Sequence, residues 1–315
     1  MSIDIGAPTS PFEARPKPTE PVRQGAEPLP TEPTSADHGQ PAASSAPSNV
    51  RHRISWPLTS FESTPHNVAC IAFCLGITFA IGLSLASAAI VAPVSTTPQK
   101  WIQWSYSPAN LPESPSLWRA FKSPMLGIYL SCWAVFHLLE FVVTSMWNPG
   151  KLSVSSFLLD NGNAYHIAHI VGITEHALEE AFLPAHLRIY KHQGGLIVLG
   201  FALVVGGQIL RSFAMITASS NFSHLLAYKK AQGHQLVTNG IYAWSRHPSY
   251  AGFTWWAVGT QVMLVNPFGT LAFAAVLYYF FSNRIRVEEK YLTQFFGDEY
   301  VQYKKRVPTR IPFVP

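Results

Sequence analysis

Charged residues are scarce in this sequence, and their scarcity is the first indication of its class. Only 12% of the 315 residues are Asp, Glu, Lys or Arg, whereas roughly 25% is usual in soluble domains. Residues 68–91 contain no charged side chain, and about 20 apolar residues are enough to cross the core of a bilayer. The deficit therefore predicts an integral membrane protein with the lipid bilayer as its surroundings.

Cysteine is also rare, and the short motifs of several enzyme classes are missing. The three cysteines, Cys70, Cys74 and Cys132, all lie in apolar stretches, so we interpret them as small buried hydrophobic residues. The sequence has no GxGxxG, GxxxxGK, HExxH or paired CxxC pattern. We therefore expect no disulfide framework, no metal site and no nucleic-acid partner.

The first 52 residues are rich in Pro, Ser, Thr, Ala and Glu and contain no long apolar run. A segment of this composition cannot bury enough apolar surface to offset the entropy lost on ordering. We predict that residues 1–52 form a disordered tail. No cleaved secretory signal is expected, because the apolar core of such a signal is missing.

Six apolar segments predict an all-α helical bundle that crosses the membrane about six times. The candidate spans are residues 67–92, 124–147, 163–183, 194–219, 249–265 and 267–282. The third span is weak because it contains several His and Glu residues. Asn266-Pro267 separates the last two spans, so residues 249–282 are predicted to form a tight helical hairpin. We expect transmembrane helices over residues 53–219 and a cytosol-facing region over residues 220–315.

Basic residues near the span ends predict the orientation. Residues 283–315 contain seven Lys or Arg against four Asp or Glu, which is a net charge of +3, and residues 220–247 add three more basic side chains. We expect both segments in the cytosol, and six spans place the N-terminal tail there too. The loop 93–123 would then be lumenal, although its basic residues count against that arrangement.

A ring-rich cluster begins the fifth candidate span. Tyr242, Trp244, His247 and Tyr250 have rings with polar groups, and the last two are three residues apart, so they share a face if the segment is helical. Such rings, together with exposed backbone amides, would suit a nucleotide-like ligand. The alternative is an aromatic belt at the level of the lipid headgroups, and composition alone favours that belt.

Two charges one helical turn apart follow the sixth candidate span. Arg284 and Glu288 could form a surface ion pair of little energetic consequence. They could also act separately, because an Arg fork holds a carboxylate and a Glu accepts hydrogen bonds from ribose hydroxyls. The residues alone leave both interpretations open.

Arg211 is the only charged residue in the fourth candidate span. A charge at membrane depth usually faces a cavity or a partner, and Glu140 and the Glu-rich third span are the candidate partners. The alternative is that Arg211 extends to the bilayer surface. His137 and Glu140 are three residues apart and are expected to form a structural polar pair, and Asn221 with His224 could be a simple cap and turn.

The order and spacing of several motifs resemble those of the isoprenylcysteine carboxyl methyltransferases. The matching segments are SSNFSH, HQLVTNGIYAWSRHPSYAGF, GTQVMLVNPFG, the Glu pair at 288–289, FFGDEYVQYKKRVP and IPF, with FHLLEF, FLLDN and ILRSFAM upstream. The resemblance covers about residues 120–315. Membrane methyltransferases of phospholipids, and sterol reductases, have a similar C-terminal region.

The resemblance implies methyl transfer from S-adenosylmethionine to the C-terminal carboxylate of a farnesylated or geranylgeranylated cysteine on proteins processed at a CaaX sequence. It implies residence in the endoplasmic reticulum membrane with a cytosolic C-terminus. It assigns Arg284 to bind and orient the substrate carboxylate, and makes Arg211 a weaker candidate for shaping the same catalytic pocket.

The resemblance also implies which residues contact the cofactor. They are His234, Gln235, Leu236, Val237, Tyr242, His247, Pro248, Ser249, Tyr250 and Glu288. One departure is visible at Ala227, where the family can have a Gln whose amide helps hold the cofactor. Tyr228 and Gln232 are the candidates to replace that contact.

Three other functions remain open at this stage. A methyltransferase of phospholipids would use the same cofactor, but its amine would have to lose a proton and would need no carboxylate-binding Arg. A sterol reductase would need more spans. A non-catalytic scaffold or transporter would use the polar third span differently, although the chain shows no internal repeat of the kind common in transporters.

Overall fold

The computed structural model describes residues 63–91 and 116–314. Every regular element in these two ranges is helical, which confirms the expected all-α class. The α-helices are α1 (Pro65–Val91), α2 (Leu117–Phe121), α3 (Pro124–Trp147), α4 (Asn163–Phe182), α5 (Ala185–Arg188), α6 (Gly194–Ala218), α7 (Pro248–Met263), α8 (Pro267–Phe296) and α9 (Asp298–Arg306). The predicted tail, residues 1–52, and residues 93–115 of the predicted lumenal loop lie outside the described residues.

Proline and glycine set several of the helix boundaries. Pro124, Pro248 and Pro267 are the first residues of α3, α7 and α8, where a missing N–H costs nothing and the fixed φ favours a helical start. Gly297, with φ of 55°, separates α8 from α9. Residues 283–296 contain neither Pro nor Gly, so α8 continues well past the predicted end at residue 282.

Three segments of the described chain are long and apolar enough to cross a membrane: Pro65–Ser87, Pro124–Trp147 and His186–Asn221. The last of these contains α6. Helices α4, α7 and α8 coincide with the other three predicted spans within a few residues, apart from the C-terminal extension of α8. The total of six spans stays a prediction.

Helices α6 and α7 pack antiparallel with their backbones in direct contact. A Cβ atom built on Gly207 would lie 2.4 Å from the Trp256 backbone nitrogen, and one on Gly252 would lie 2.7 Å from the Arg211 backbone nitrogen. Gly200 faces Met263 in the same way, with a built Cβ only 2.2 Å from its backbone nitrogen. Helices without a hydrophobic driving force between them associate through such small residues, because their backbones can approach closely.

Helix α1 packs against α3 through the same kind of close glycine contact. A Cβ on Gly82 would lie 2.6 Å from the Gly127 carbonyl oxygen, and one on Gly127 would lie 2.5 Å from that of Gly82. The rest of α1 is largely exposed, including Cys70 and Cys74. The expectation that these two cysteines are buried was wrong, because the glycine face of α1, and not the cysteine face, makes the contact with α3.

Helices α7 and α8 follow one another where the sequence predicts a hairpin, and a buried lysine holds the turn between them. Lys191 Nζ donates to the carbonyl oxygens of Leu264 and Val265 and to Asn266 Oδ1, at 2.8, 3.1 and 3.0 Å. It also pairs with Glu179 of α4 at 2.5 Å. Val265 has a positive φ of 53°, which a β-branched residue adopts only where the surroundings enforce it. The turn is therefore fixed by tertiary contacts.

The expected pair of His137 and Glu140 was wrong. His137 donates from Nδ1 to the Phe157 carbonyl oxygen, and its Nε2 accepts from the Tyr165 hydroxyl, both at 2.8 Å. Glu140 pairs with Arg211 instead. Spacing along α3 places His137 and Glu140 on one side of the helix, but neighbouring segments supply stronger partners for each.

We predict that Gly207→Ala lowers the thermal unfolding temperature of the purified protein in detergent. Its methyl group would meet the α7 backbone, and overpacking of this kind costs about 1–3 kcal/mol. Gly206→Ala is the matched control, because no atom lies within 4 Å of a Cβ built there. Equal unfolding temperatures for the two variants would contradict the close contact of α6 with α7.

Candidate active site

The loop between α6 and α7 folds back over the start of α7. Asn221 Oδ1 accepts from the Gln235 backbone N–H at 2.9 Å, which closes the loop on itself. The far end of the loop is tied to the C-terminal segment, because Arg246 N–H donates to the Pro308 carbonyl oxygen at 3.1 Å and Ser245 Oγ to that of Thr309 at 2.6 Å. The ring-rich cluster is therefore held between two parts of the chain that are distant in sequence.

A cavity of about 120 Å³, open to solvent, lies between this loop, the start of α7 and the helices α8 and α9. The structure brings all ten expected cofactor residues to its wall: His234, Gln235, Leu236, Val237, Tyr242, His247, Pro248, Ser249, Tyr250 and Glu288. The cofactor role of these residues stays a prediction. Their position on the wall of one cavity is compatible with binding a single ligand.

Part of the wall was not anticipated from the sequence. The additional lining residues are Ala218, Asn221, Phe222, Ser223, Arg246, Leu292, Phe296, Tyr300 and Tyr303. A periodic signal was present for some of them, since Glu288, Leu292 and Phe296 recur every four residues and so share one face of α8. Tyr300 and Tyr303 are three residues apart on α9 and likewise share one face of their helix.

Two residues proposed to replace the contact missing at Ala227 lie elsewhere. Neither Tyr228 nor Gln232 is on the cavity wall. Tyr228 is exposed and packs edge-on against the Tyr291 ring, with centroids 5.3 Å apart. Asn221, which the sequence suggested only as part of a cap and turn, lines the cavity together with Gln235, so two residues with amide side chains lie on its wall.

Tyr250 is the central side chain of the site. Its ring is stacked between His247, at 5.5 Å and 3°, and Phe281, at 4.9 Å and 27°. Its hydroxyl donates to Glu288 Oε2 at 2.5 Å and accepts from Arg284 Nε at 3.2 Å. The hydroxyl therefore lies between the two charges for which the sequence allowed a direct surface ion pair.

Arg284 is half-buried and only partly engaged. Its Nη2 donates to the His224 carbonyl oxygen at 3.0 Å, whereas its Nη1 has no hydrogen-bond partner within residues 63–91 and 116–314. Burial by itself lowers the pKa of this guanidinium, but Tyr250 and Glu288 outweigh burial and raise the pKa above its ordinary value. Arg284 is thus a fixed cation with one donor group available to a ligand.

Arg211 is buried behind the cavity wall. It forms a two-pronged pair with Glu140, from Nε at 2.5 Å and from Nη2 at 2.9 Å, and Nη1 donates to Ser249 Oγ at 3.0 Å. This geometry confirms Glu140 as the partner and excludes an extended Arg211 at the bilayer surface. Arg211 does not line the cavity, and it reaches the cavity only through Ser249.

Glu289, next to Glu288 but on another face of α8, ties the surrounding segments together. Its Oε1 accepts from Arg246 Nε at 2.5 Å and from His247 Nε2 at 3.2 Å, and its Oε2 pairs with Lys304 Nζ at 2.6 Å. Burial by itself would raise the pKa of Glu289, but the hydrogen bonds from His247, Lys304 and Arg246 outweigh it and hold the pKa well below the ordinary value. The carboxylate is therefore ionised at neutral pH and positions two residues of the cavity wall.

Comparisons with known proteins agree with this geometry. Residues 198–294 match the model of the isoprenylcysteine carboxyl methyltransferase family. The protein-S-isoprenylcysteine O-methyltransferase of Saccharomyces cerevisiae is 47% identical over 191 residues, which is 60% of this chain and 80% of that relative. This chain belongs to the isoprenylcysteine carboxyl methyltransferase family.

Further likenesses support the membership. The protein-S-isoprenylcysteine O-methyltransferase of Homo sapiens is 44% identical over 201 residues, covering 64% of this chain and 68% of that relative. A solved structure of a eukaryotic intramembrane Ras methyltransferase of this family superposes with a TM-score of 0.63 and 33% identity, covering 79% of this chain and 77% of that one.

Membership in the isoprenylcysteine carboxyl methyltransferase family, together with the apolar helices, settles the class of the protein. The chain is a methyltransferase and an integral membrane protein. The scaffold, transporter and sterol reductase interpretations are thereby set aside. The aromatic-belt interpretation of the ring-rich cluster loses support for Tyr242, His247 and Tyr250, because these three rings line the cavity. Trp244 does not line it and is exposed beside Arg310.

We predict that Tyr250→Phe lowers kcat/KM about tenfold, because a buried polar group left without its partner costs about 1–3 kcal/mol. The stacked ring is retained, and only the bridge between Arg284 and Glu288 is lost. Tyr279→Phe is the matched control, since Tyr279 is exposed on α8. Methyl-transfer kinetics of both variants check this, and equal activity of the two would show that the bridge has no catalytic consequence.

We predict a specific acid sensitivity from Glu289. Because its folded-state pKa lies below the ordinary 4.5, its stabilisation is present above about pH 4.5 and is lost as the pH falls through the folded value. At pH 7 the Glu289→Gln variant should therefore unfold at a lower temperature than the unaltered protein. Between about pH 5 and pH 3 its unfolding temperature should fall less than that of the unaltered protein. Glu299→Gln, at an exposed position on α9, is the control and should titrate like the unaltered protein. Parallel curves for Glu289→Gln and the unaltered protein would refute the assignment.

Proposed function

We propose that this methyltransferase transfers a methyl group from S-adenosylmethionine to the C-terminal carboxylate of a prenylated cysteine on proteins processed at a CaaX sequence. The product is a methyl ester. The farnesyl and geranylgeranyl groups are both candidates for the prenyl chain. The names of the relatives, which are protein-S-isoprenylcysteine O-methyltransferases, support this assignment.

One observation carries the proposal beyond the family name. The Tyr250 hydroxyl joins Glu288, on the wall of the cavity, to Arg284, whose Nη1 has no partner in the described part of the chain. A cation with an available donor therefore lies one side chain away from the cavity that the ten expected cofactor residues line. This arrangement suits a reaction in which a carboxylate meets a group held in that cavity.

The residues of the cavity fit S-adenosylmethionine. Aromatic and apolar side chains such as Phe222, Leu236 and Phe296 suit the adenine ring, and the Glu288 carboxylate suits ribose hydroxyls or the cationic groups of the cofactor. Rings such as Tyr242 stabilise a nearby cation through their faces. When bound, S-adenosylmethionine supplies an electrophilic methyl group on a positively charged sulfur.

The chain supplies alignment and needs no catalytic base. A C-terminal carboxylate has an ordinary pKa of about 3.5 and is ionised at neutral pH. Arg284 can hold it through the free Nη1 group, and Tyr250 with the His224 carbonyl oxygen fixes the guanidinium in place. Fixing the nucleophile in this way, out of bulk water, is a recognised source of rate enhancement.

The position of the cavity suits two substrates that arrive from different phases. The cofactor is soluble in water and enters from the solvent, whereas a prenyl chain partitions into lipid. We infer residence in the endoplasmic reticulum membrane with the cavity and the C-terminus in the cytosol. The basic residues of the segments at 220–247 and 283–315 support this orientation.

A methyltransferase of phospholipids is the second candidate, because its cofactor would be the same. Its amine nucleophile would have to be deprotonated, and a cation at the position of Arg284 would oppose the binding of a protonated amine. The fixed charge of Arg284 therefore favours the carboxylate.

The deciding experiment offers two acceptors to the purified protein in phosphatidylcholine nanodiscs with labelled S-adenosylmethionine. We expect base-labile label on N-acetyl-S-farnesylcysteine and none on phosphatidylethanolamine. N-acetyl-S-methylcysteine, which lacks the prenyl chain, should be a very poor acceptor. Label on phosphatidylethanolamine, or equal turnover of the unprenylated thioether, would overturn the substrate assignment.

The same assay, performed with the Arg284→Ala variant, tests the role of Arg284. We expect turnover to fall about 10²–10³-fold, the range seen when one positioned donor to a reacting oxyanion is removed, while labelled cofactor still binds. Arg306→Ala, which removes an exposed guanidinium at the end of α9, should keep full activity. Survival of activity in Arg284→Ala would leave Arg284 as a structural residue only.

A further inference from the structure

A second cavity lies on a neighbouring face of α8 from the cofactor cavity, and we refer to it as the basic groove. It has a volume of about 580 Å³ and is open to solvent. Its lining residues are Tyr278, Ser282, Ile285, Arg286, Glu289, Lys290, Thr293, Lys304 and Val314. Glu289 and Lys304 belong to motifs that the family shares, whereas Arg286 and Lys290 lie outside those motifs. The proposed methyl transfer does not use the groove.

The basic groove carries a net positive charge that is not internally neutralised. Three of its side chains are cationic and one, Glu289, is anionic, and Lys304 already pairs with that carboxylate at 2.6 Å. Arg286 makes only a long contact, 3.4 Å, to the Asn283 side-chain oxygen. Arg286 and Lys290 have no ion-pair partner among the residues that the structure describes. The groove therefore offers two available cations to an anion.

The wall of the basic groove also contains a hydroxyl group that forms no hydrogen bond with the residues that the structure describes. Ser282 Oγ is buried, and it has no hydrogen-bond partner within the described ranges. A buried polar group without a partner is unfavourable, and Ser282 could donate to an oxygen atom of an anion held by the neighbouring cations. Hydroxyl and basic groups together are a suitable donor set for a phosphate.

The groove begins where the apolar part of α8 ends. Residues 267–282 extend about 24 Å at 1.5 Å per residue, and their outward side chains include Tyr279 and Phe280, which are 72% and 52% exposed. Exposed Tyr residues next to basic residues are typical of the boundary between hydrocarbon and headgroups. With residues 267–282 crossing the bilayer as predicted, the groove would lie at the depth at which lipid phosphates occur.

We propose that the basic groove binds the headgroup of an anionic phospholipid from the cytosolic leaflet. Arg286 and Lys290 hold the phosphate and the second negative group, Ser282 donates a hydrogen bond, and Tyr278 packs against the glycerol region. A membrane lipid fits better than soluble phosphate, because Tyr278 of the groove and Leu271, two turns earlier on the same side of α8, are 46% and 72% exposed. The groove shares no lining residue with the cofactor cavity. The cytosolic leaflet rests on the orientation proposed above, whereas the site does not depend on the identity of the methyl acceptor.

Native mass spectrometry of the full chain tests the proposal. The protein is released from nonionic detergent micelles that contain equal amounts of dioleoylphosphatidylserine and dioleoylphosphatidylcholine. We expect one phosphatidylserine to be retained in preference to phosphatidylcholine by about tenfold, in line with the attraction that two basic side chains add at a membrane surface. The double variant Arg286→Gln with Lys290→Gln should lose this preference while labelled cofactor still binds, which shows that the variant is folded.

The matched control removes two exposed charges elsewhere, with Lys229→Gln and Lys305→Gln, and should keep the preference. Equal retention of the two lipids by the unaltered protein would overturn the proposal. An equal loss of the phosphatidylserine preference in the groove variant and in the control would also overturn it, because that result indicates only general electrostatic attraction. Displacement of the lipid by millimolar inorganic phosphate would assign the groove to a soluble anion instead.

Discussion

The direct contact between the backbones of α6 and α7 is the constraint on which the site depends. Gly207 and Gly252 allow the two helices to approach until a single methyl group would collide with the opposite main chain. This approach fixes the start of α7, with His247 and Tyr250, beside the end of α6. The loop between the helices must then fold back over α7, and the cofactor cavity is the space that it encloses.

Ion pairs also hold the segments around the cofactor cavity in place. Arg211 and Glu140 connect α6 to α3 behind the cavity wall, and Glu289 connects α8 to the loop residue Arg246 and to Lys304 of α9. Buried ion pairs add little net stability compared with apolar packing, but breaking one by removing a partner is costly. Their contribution here is geometric, because each pair holds a segment of the wall in one position relative to the next.

Much of the cavity wall could be expected from the family resemblance, because the motifs that carry it are concentrated in one short stretch. Residues 234–250 supply nine of the ten expected cofactor contacts, and their grouping in one cavity agrees with that expectation. Apart from Glu288, the wall residues on α8 and α9 were missed, because Leu292 and Tyr303 look like ordinary helical core residues until a neighbouring loop faces them. The pair of His137 with Glu140 failed for a related reason, since spacing along one helix does not reveal what another helix offers.

By itself, the sequence determined the all-α class, the positions of the six long helices and the chemistry of the residues at the start of α7, because apolar length, proline position and side-chain type are local properties. The tertiary structure alone decided that the Tyr250 hydroxyl lies between Arg284 and Glu288, that Arg211 lies behind the wall, and that a basic groove lies on a neighbouring face of α8. Each of these depends on distances between segments far apart in the chain. Such distances are set by the packing of whole helices and cannot be obtained from residue spacing.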